Sequence, residues 1–248
     1  MNVILHIARC EFRRMFSSPL AWCVLGITQL LMGVVFLLTL VEYEESRPFL
    51  DPTVGVSEAV TGGLFGFGAV IFLLLIPIIT MRSFSEERGN GSLDLLRSAP
   101  VTLLEIVMGK YLGLLFFIGL LTILLLIMPL SLIPIIELDL GRIFAGLLGM
   151  FLMMAAFAAA GLFVSSLTDQ PATAAVGGFG LLLLLWLINW IGGQNNLLAE
   201  VFQYLSLLGH YDKLLRGVFS LSDVVYYLLF CLLFLTLTVL RLDWERQA

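Results

Sequence analysis

Residues 20–41 read LAWCVLGITQLLMGVVFLLTLV, an apolar run without a single Asp, Glu, Lys or Arg. At 1.5 Å of rise per residue it crosses the roughly 30 Å of bilayer hydrocarbon as one helix. Its most polar groups are Thr28, Gln29 and Thr39. Comparable runs recur at 62–81, 106–130, 143–167, 172–191 and 224–240. Hydrocarbon cannot hydrate backbone amides, so each run must satisfy its own hydrogen bonds as a helix. The sequence therefore predicts an all-α polytopic membrane protein with six transmembrane helices in a single transmembrane domain over residues 1–248. Composition agrees: 60% of the residues are hydrophobic and 12% charged, against roughly half and a quarter in soluble domains.

Segments 42–61, 82–105, 131–142, 168–171 and 192–223 are where the chain can meet water. Positive charge stays on the inner side during insertion. With an even number of spans and the amino end inside, nine basic residues fall inside (Arg9, Arg13, Arg14, Arg82, Arg88, Arg97, Lys110, Arg241, Arg246) and four outside (Arg47, Arg142, Lys213, Arg216). Both termini are thus expected in the cytoplasm. The net charge of −5, with acids gathered at 42–58, offers nothing to nucleic acid.

Ahead of the first span, Ile4, Ala8, Phe12 and Met15 share one helical face and His6, Arg9, Arg13 and Arg14 another. Residues 1–17 read either as an interfacial helix or as a basic tail that enforces orientation. Ser18 and Pro19 supply a cap and a favoured first-turn residue for the span that follows.

Several chemistries are excluded. Cys10, Cys23 and Cys231 are widely spaced and read as packing residues. His6 and His210 fall at opposite faces of the membrane, so no metal site or catalytic residue is expected. The Gly109-Lys110 pair is followed by Tyr111 and lacks the first glycine of a phosphate loop, so this chain is expected to be no enzyme and to carry no cofactor. No ionisable residue lies near the middle of a span, which disfavours a proton-coupled transporter. No removable signal peptide is expected at the amino end. Gly62/Gly66, Gly109/Gly113, Ala156/Ala160 and Ala174/Gly178 are small pairs that allow close helix approach, and Pro77 is expected to kink the second span.

The loop at 82–105 carries the functional signal. Gly89, Asn90 and Gly91 interrupt it. Ser92 can cap a short helix bearing Leu93, Leu95 and Leu96, and Pro100 ends that helix. Thr102 and Glu105 form a capping box for the third span. Exposed leucines flanked by charge suit docking into a groove of another protein, or a hairpin packed on its own bundle. The segment 192–223, rich in aromatic and apolar residues, is expected outside the membrane or re-entrant.

Glu86-Glu87, Gly91-Ser92, Leu93-Asp94-Leu95-Leu96, Pro100-Val101 and Gly109-Lys110 resemble the corresponding loop of ABC-2-type permeases, with Ser92 where Thr is usual. Ser165-Ser166-Leu167-Thr168 to Gln170, and Gly209-His210-Tyr211 through to Asp223-Val224-Val225-Tyr226, extend the likeness and look most like the gliding-motility and nitrous-oxide-reductase-maturation branches. The resemblance implies a permease subunit, in a bacterial or archaeal plasma membrane, that pairs with itself or a close relative and binds cytoplasmic ATPase subunits. Glu86, Glu87, Gly91, Ser92, Leu93, Asp94, Leu96, Pro100 and Val101 would form the coupling element. A secondary transporter, a channel and an assembly scaffold are the competing classes. Without charge at membrane depth, the expected cargo is lipid-linked or amphipathic, with membrane lipid as a partner. Alternatively, force passes to an extracytoplasmic partner protein. Phe202, Tyr204 and Tyr211 would then serve as outer gate or docking surface, and the resemblance favours export over import.

Overall fold

A computed structural model describes residues 2–48, 55–91, 101–136, 138–191 and 206–247. Helix α1 spans Asn2–Ser17, α2 Pro19–Ser46 and α3 Val56–Val60; a π turn at Thr61–Phe65 leads into α4, Gly66–Thr80. Then follow α5 (Ser85–Gly89), α6 (Leu103–Leu130), α7 (Leu140–Leu167), α8 (Pro171–Ile191), α9 (Leu207–Leu215) and α10 (Leu221–Gln247), with no strand among the described residues. Five stretches are long and apolar enough to cross a membrane: Pro19–Ser46, Val56–Gly89, Leu103–Leu130, Leu140–Leu167 and Leu221–Arg246. The remaining apolar helix is shorter over its described side chains, Pro171–Leu187. Each of the six expected runs thus lies on a helix, and five reach spanning length.

Helix starts follow local chemistry. Ser18 Oγ accepts from Leu20 N at 3.4 Å, with Pro19 in the first turn. At α6 the Thr102 and Glu105 capping box is complete, Thr102 N donating to Glu105 Oε2 at 2.9 Å and Glu105 N donating to Thr102 Oγ1 at 3.3 Å. These bonds satisfy amides that a helix start leaves open.

Helix α7 is the centre of the bundle. Ala156, Ala158, Ala159 and Ala160 are fully buried, and its neighbours include α4, α6, α8, α9 and α10. Small residues set how closely these helices approach. A methyl group at Gly149 would lie 2.9 Å from Leu214 Cβ, and Gly161 leaves space for Thr80. Among the small pairs, Gly109/Gly113 forms the surface on which α1 lies, whereas Gly62 and Gly66 face open space. Gln29 ties α2 to α6 by donating to the Leu124 carbonyl at 3.1 Å.

The expected packing role of the cysteines holds for Cys231 alone: it is buried, while Cys10 and Cys23 lie on exposed helix faces. Helix α1 packs directly along α6, with Ala8 fully buried, so it is part of the bundle and not a detached tail.

Candidate functional site at the root of the 82–105 loop

The chain leaves α4 at Thr80, and a turn over Met81 to Phe84 delivers it into α5. Ser165, fully buried on α7, holds this turn: its Oγ accepts from Phe84 N at 3.1 Å and Ser85 N at 3.2 Å and donates to the Met81 carbonyl at 3.0 Å. One hydroxyl thus satisfies backbone groups that neither helix reaches.

Beside it lies Lys110, two turns into α6 and only 2% exposed. Its ammonium donates to Glu87 Oε1 at 2.6 Å and to Glu11 Oε1, and sits 5.2 Å from the centre of the Phe84 ring. A lone ammonium in so dry a place would cost several kcal/mol, and two carboxylates with an aromatic face offset that cost. Arg14 of α1 closes the cluster, donating to Glu87 Oε1 at 2.8 Å and Glu86 Oε2 at 3.1 Å. Burial alone would lower the Arg14 guanidinium, but Glu11, Glu87 and Glu86 outweigh it and hold it above the ordinary arginine value. Helices α1, α5 and α6 therefore meet at one charged joint.

Across the loop, Arg88 pairs with Glu245 of α10 and, at 3.3 Å, with Asp169 between α7 and α8. Arg241 supports Glu245 at 2.9 Å. Gly89 approaches the Asp169 carbonyl so closely that a Cβ there would lie 2.9 Å from it, and Gly91 has φ +68°, a conformation that side chains disfavour. A recess of about 270 Å³ opens beside the Arg14 and Glu86 pair, lined in part by Ser17, Arg82 and Phe117.

Of the residues expected to couple, Glu86 is half-exposed at the joint, Glu87 faces inward to Lys110, Gly91 forms the left-handed turn, and Val101 packs against the core before α6. Ser92, Leu93, Asp94, Leu96 and Pro100 lie outside the described residues. So do Phe202 and Tyr204.

Tyr211 is described and lies inside the bundle, 1% exposed, its hydroxyl donating to the Phe65 carbonyl at the end of the π turn at 2.8 Å. On the same helix, His210 Nδ1 is 2.6 Å from Asp223 Oδ1, both groups being buried, and the imidazole stacks on Tyr226 at 4.1 Å. Tyr227 anchors the start of α9 by donating to the Leu207 carbonyl at 2.7 Å. His210, expected at an interface, is therefore an interior residue. Residues 207–215 form a packed helix and not a surface loop.

Sequence reasoning missed Glu11, Lys110 and Ser165 as partners of the loop. Lys110 did carry a signal, since a lysine inside an apolar run must be paired or functional. Among the described residues no group of three or more His, Cys, Asp or Glu is placed to hold a metal ion.

A bundle with several helices long and apolar enough to cross a membrane, its one loop braced at the root by ion pairs to α1, α6 and α10 and by a hydroxyl of α7, is the architecture of a multi-pass membrane protein. The chain belongs to the ABC-2 transporter family: the family described as ABC-2 family transporter protein matches residues 5–245. It is accordingly an ABC transporter permease, a multi-pass membrane protein of a family that implies association with a cytoplasmic ABC ATPase. The match does not separate the branches of the family. No curated protein matches the chain.

Proposed function

We propose that this permease converts ATP hydrolysis by its partner ATPase into movement of the bundle through the joint around Lys110. The observation that carries the reading is the single buried ammonium shared by Glu87 of the loop and Glu11 of α1. A push on the loop at 82–105 meets a root that cannot slide independently. Ser165 ties it to α7, Lys110 to α6 and α1, and Arg88 to α10. Displacement therefore reaches helices on both sides of the bundle together. Glu86 and the recess beside it are open to an ATPase side chain, and Arg82 and Asn90 of the root are exposed as well.

The basic asymmetry of the sequence supports placing this joint and both termini on the cytoplasmic side of the plasma membrane. A second permease copy or close relative completes the transporter, and no enzymatic step belongs to this chain. Export of an amphipathic cargo, or force transmission to an extracytoplasmic partner, is favoured over import. Tyr211, locked against the π turn, suits a gate element better than an exposed docking contact.

The test is a purified complex of the permease with its ATPase, carrying Lys110→Met. The ATPase should still co-purify, because the docking leucines are untouched, while the permease should no longer change the ATPase turnover. Loss of co-purification in a folded variant would assign Lys110 to docking, and unchanged modulation would remove it from coupling.

A further inference from the structure

A groove of about 590 Å³ runs between α6, α7 and α10, lined among others by Tyr111, Leu115, Phe151, Ala155, Cys231 and Leu235. Its few polar groups are already occupied: the Tyr111 hydroxyl donates to the Ala155 carbonyl at 3.2 Å and Thr236 to the Leu233 carbonyl at 2.7 Å. An occupant of the groove must therefore be apolar along its length. From Tyr227 to Leu240 the groove follows α10 for about 20 Å by helical rise, against about 15 Å for the hydrocarbon of one leaflet.

At its loop end the groove shares Val239 and Leu240 with a second recess of about 460 Å³, whose lining adds Thr102, Asp243 and Arg246. The cavity is thus dry for one leaflet and carries at its mouth the Arg246 guanidinium together with the Asp243 carboxylate, so that Arg246 is the one cationic group among the described residues there for a phosphate to meet. An apolar chain with an anionic end matches that order of chemistry. A helix from a second copy would present side chains along its whole length and no anion at a fixed depth.

We propose that this groove holds one acyl chain of a glycerophospholipid from the leaflet on the loop side, with the phosphate against Arg246. The site requires neither ATP nor the ATPase, and it is separate from the joint around Lys110. Its occupant fills the seam between α10 and the α6–α7 pair, so a bound lipid would fix the spacing of helices that the Arg88 and Glu245 pair joins to the loop.

The probe is phosphatidylglycerol with a diazirine near the end of one acyl chain, mixed into vesicles of phosphatidylethanolamine and phosphatidylglycerol that contain the purified permease. After irradiation, adducts are mapped by mass spectrometry. We expect them to concentrate on Leu115, Phe151, Ala155 and Cys231, and Arg246→Gln to lower these groove adducts about fivefold. Adducts on the exposed α2 residues Leu30 and Leu37 should not change. A second variant, Ala155→Phe, should remove the groove adducts by filling the site. Labelling that is equal on groove and α2 in wild type, or groove labelling unaffected by both substitutions, would overturn the proposal. So would a groove without adducts whose Cys231 instead cross-links to a second copy.

Discussion

The Lys110 ammonium lies 2.6 Å from Glu87 Oε1 in a setting almost closed to solvent, although the two residues come from different helices and a loop intervenes. Breaking a buried pair and leaving its partner charged typically costs about 3 to 5 kcal/mol. Arg14, on the same carboxylate but much more exposed, belongs to the class of pairs worth under about 1 kcal/mol. Lys110→Ala should therefore lower the thermal midpoint of the purified permease far more than Arg14→Ala. Equal losses would show that the cluster is stabilised by surface charge and not by the buried ammonium.

The face of α6 beneath α1 gives a second prediction. A Cβ at Gly109 would lie 2.7 Å from Ile7 Cβ, and one at Gly113 2.8 Å from Glu11 Cβ. Gly113→Leu should cost about 1 to 3 kcal/mol through overpacking and release α1 to protease. Gly66→Ala, which meets open space, should be neutral or stabilise by up to about 1 kcal/mol through helix propensity. Protease protection of α1 in the Gly113→Leu variant would contradict the packing described.

Docking is expected from the distal half of the loop, outside the described residues. Leu93→Asp with Leu96→Asp would place carboxylates in an apolar groove at a cost of several kcal/mol, and co-purification with the ATPase should be lost. Glu86→Gln removes one half-exposed charge and should weaken coupling only mildly. Normal recovery of the ATPase with the double variant would move the docking surface elsewhere.

Orientation is open to labelling. If both termini are cytoplasmic, as proposed, cysteines at Ser46 and Val56 should react with an impermeant maleimide from outside in a background lacking Cys10, Cys23 and Cys231. Those at Asn90 and Gln247 should react only after permeabilisation. Outside reaction at Gln247 would contradict an even number of crossings.

Much of the fold was legible because it is local. Hydrophobic run length places the helices, and the start signals at Ser18-Pro19 and Thr102-Glu105 act over a few residues. The joint was not legible for the opposite reason: Glu11 and Lys110 stand 99 positions apart, and Phe84 and Ser165 stand 81 apart. The motif Gly109-Lys110 was visible as a resemblance, but what it does depends on α1 crossing Gly109 and Gly113 and bringing Glu11 to the lysine. Likewise the His210 and Asp223 pair forms only because α9 folds inward onto α10. Composition places a histidine near an interface; packing decides whether it stays there.

In the proposed mechanism, movement of the loop passes through Lys110 into the bundle. Spin labels at Asn90 and Ser46, one in the loop and one at the far end of α2, report this directly in a permease and ATPase complex trapped with ATP and vanadate. A nucleotide-dependent change in the distance between the labels is expected in wild type. In Lys110→Met with its ATPase still bound, that change should be lost. A shift of the same size in both proteins would contradict the mechanism.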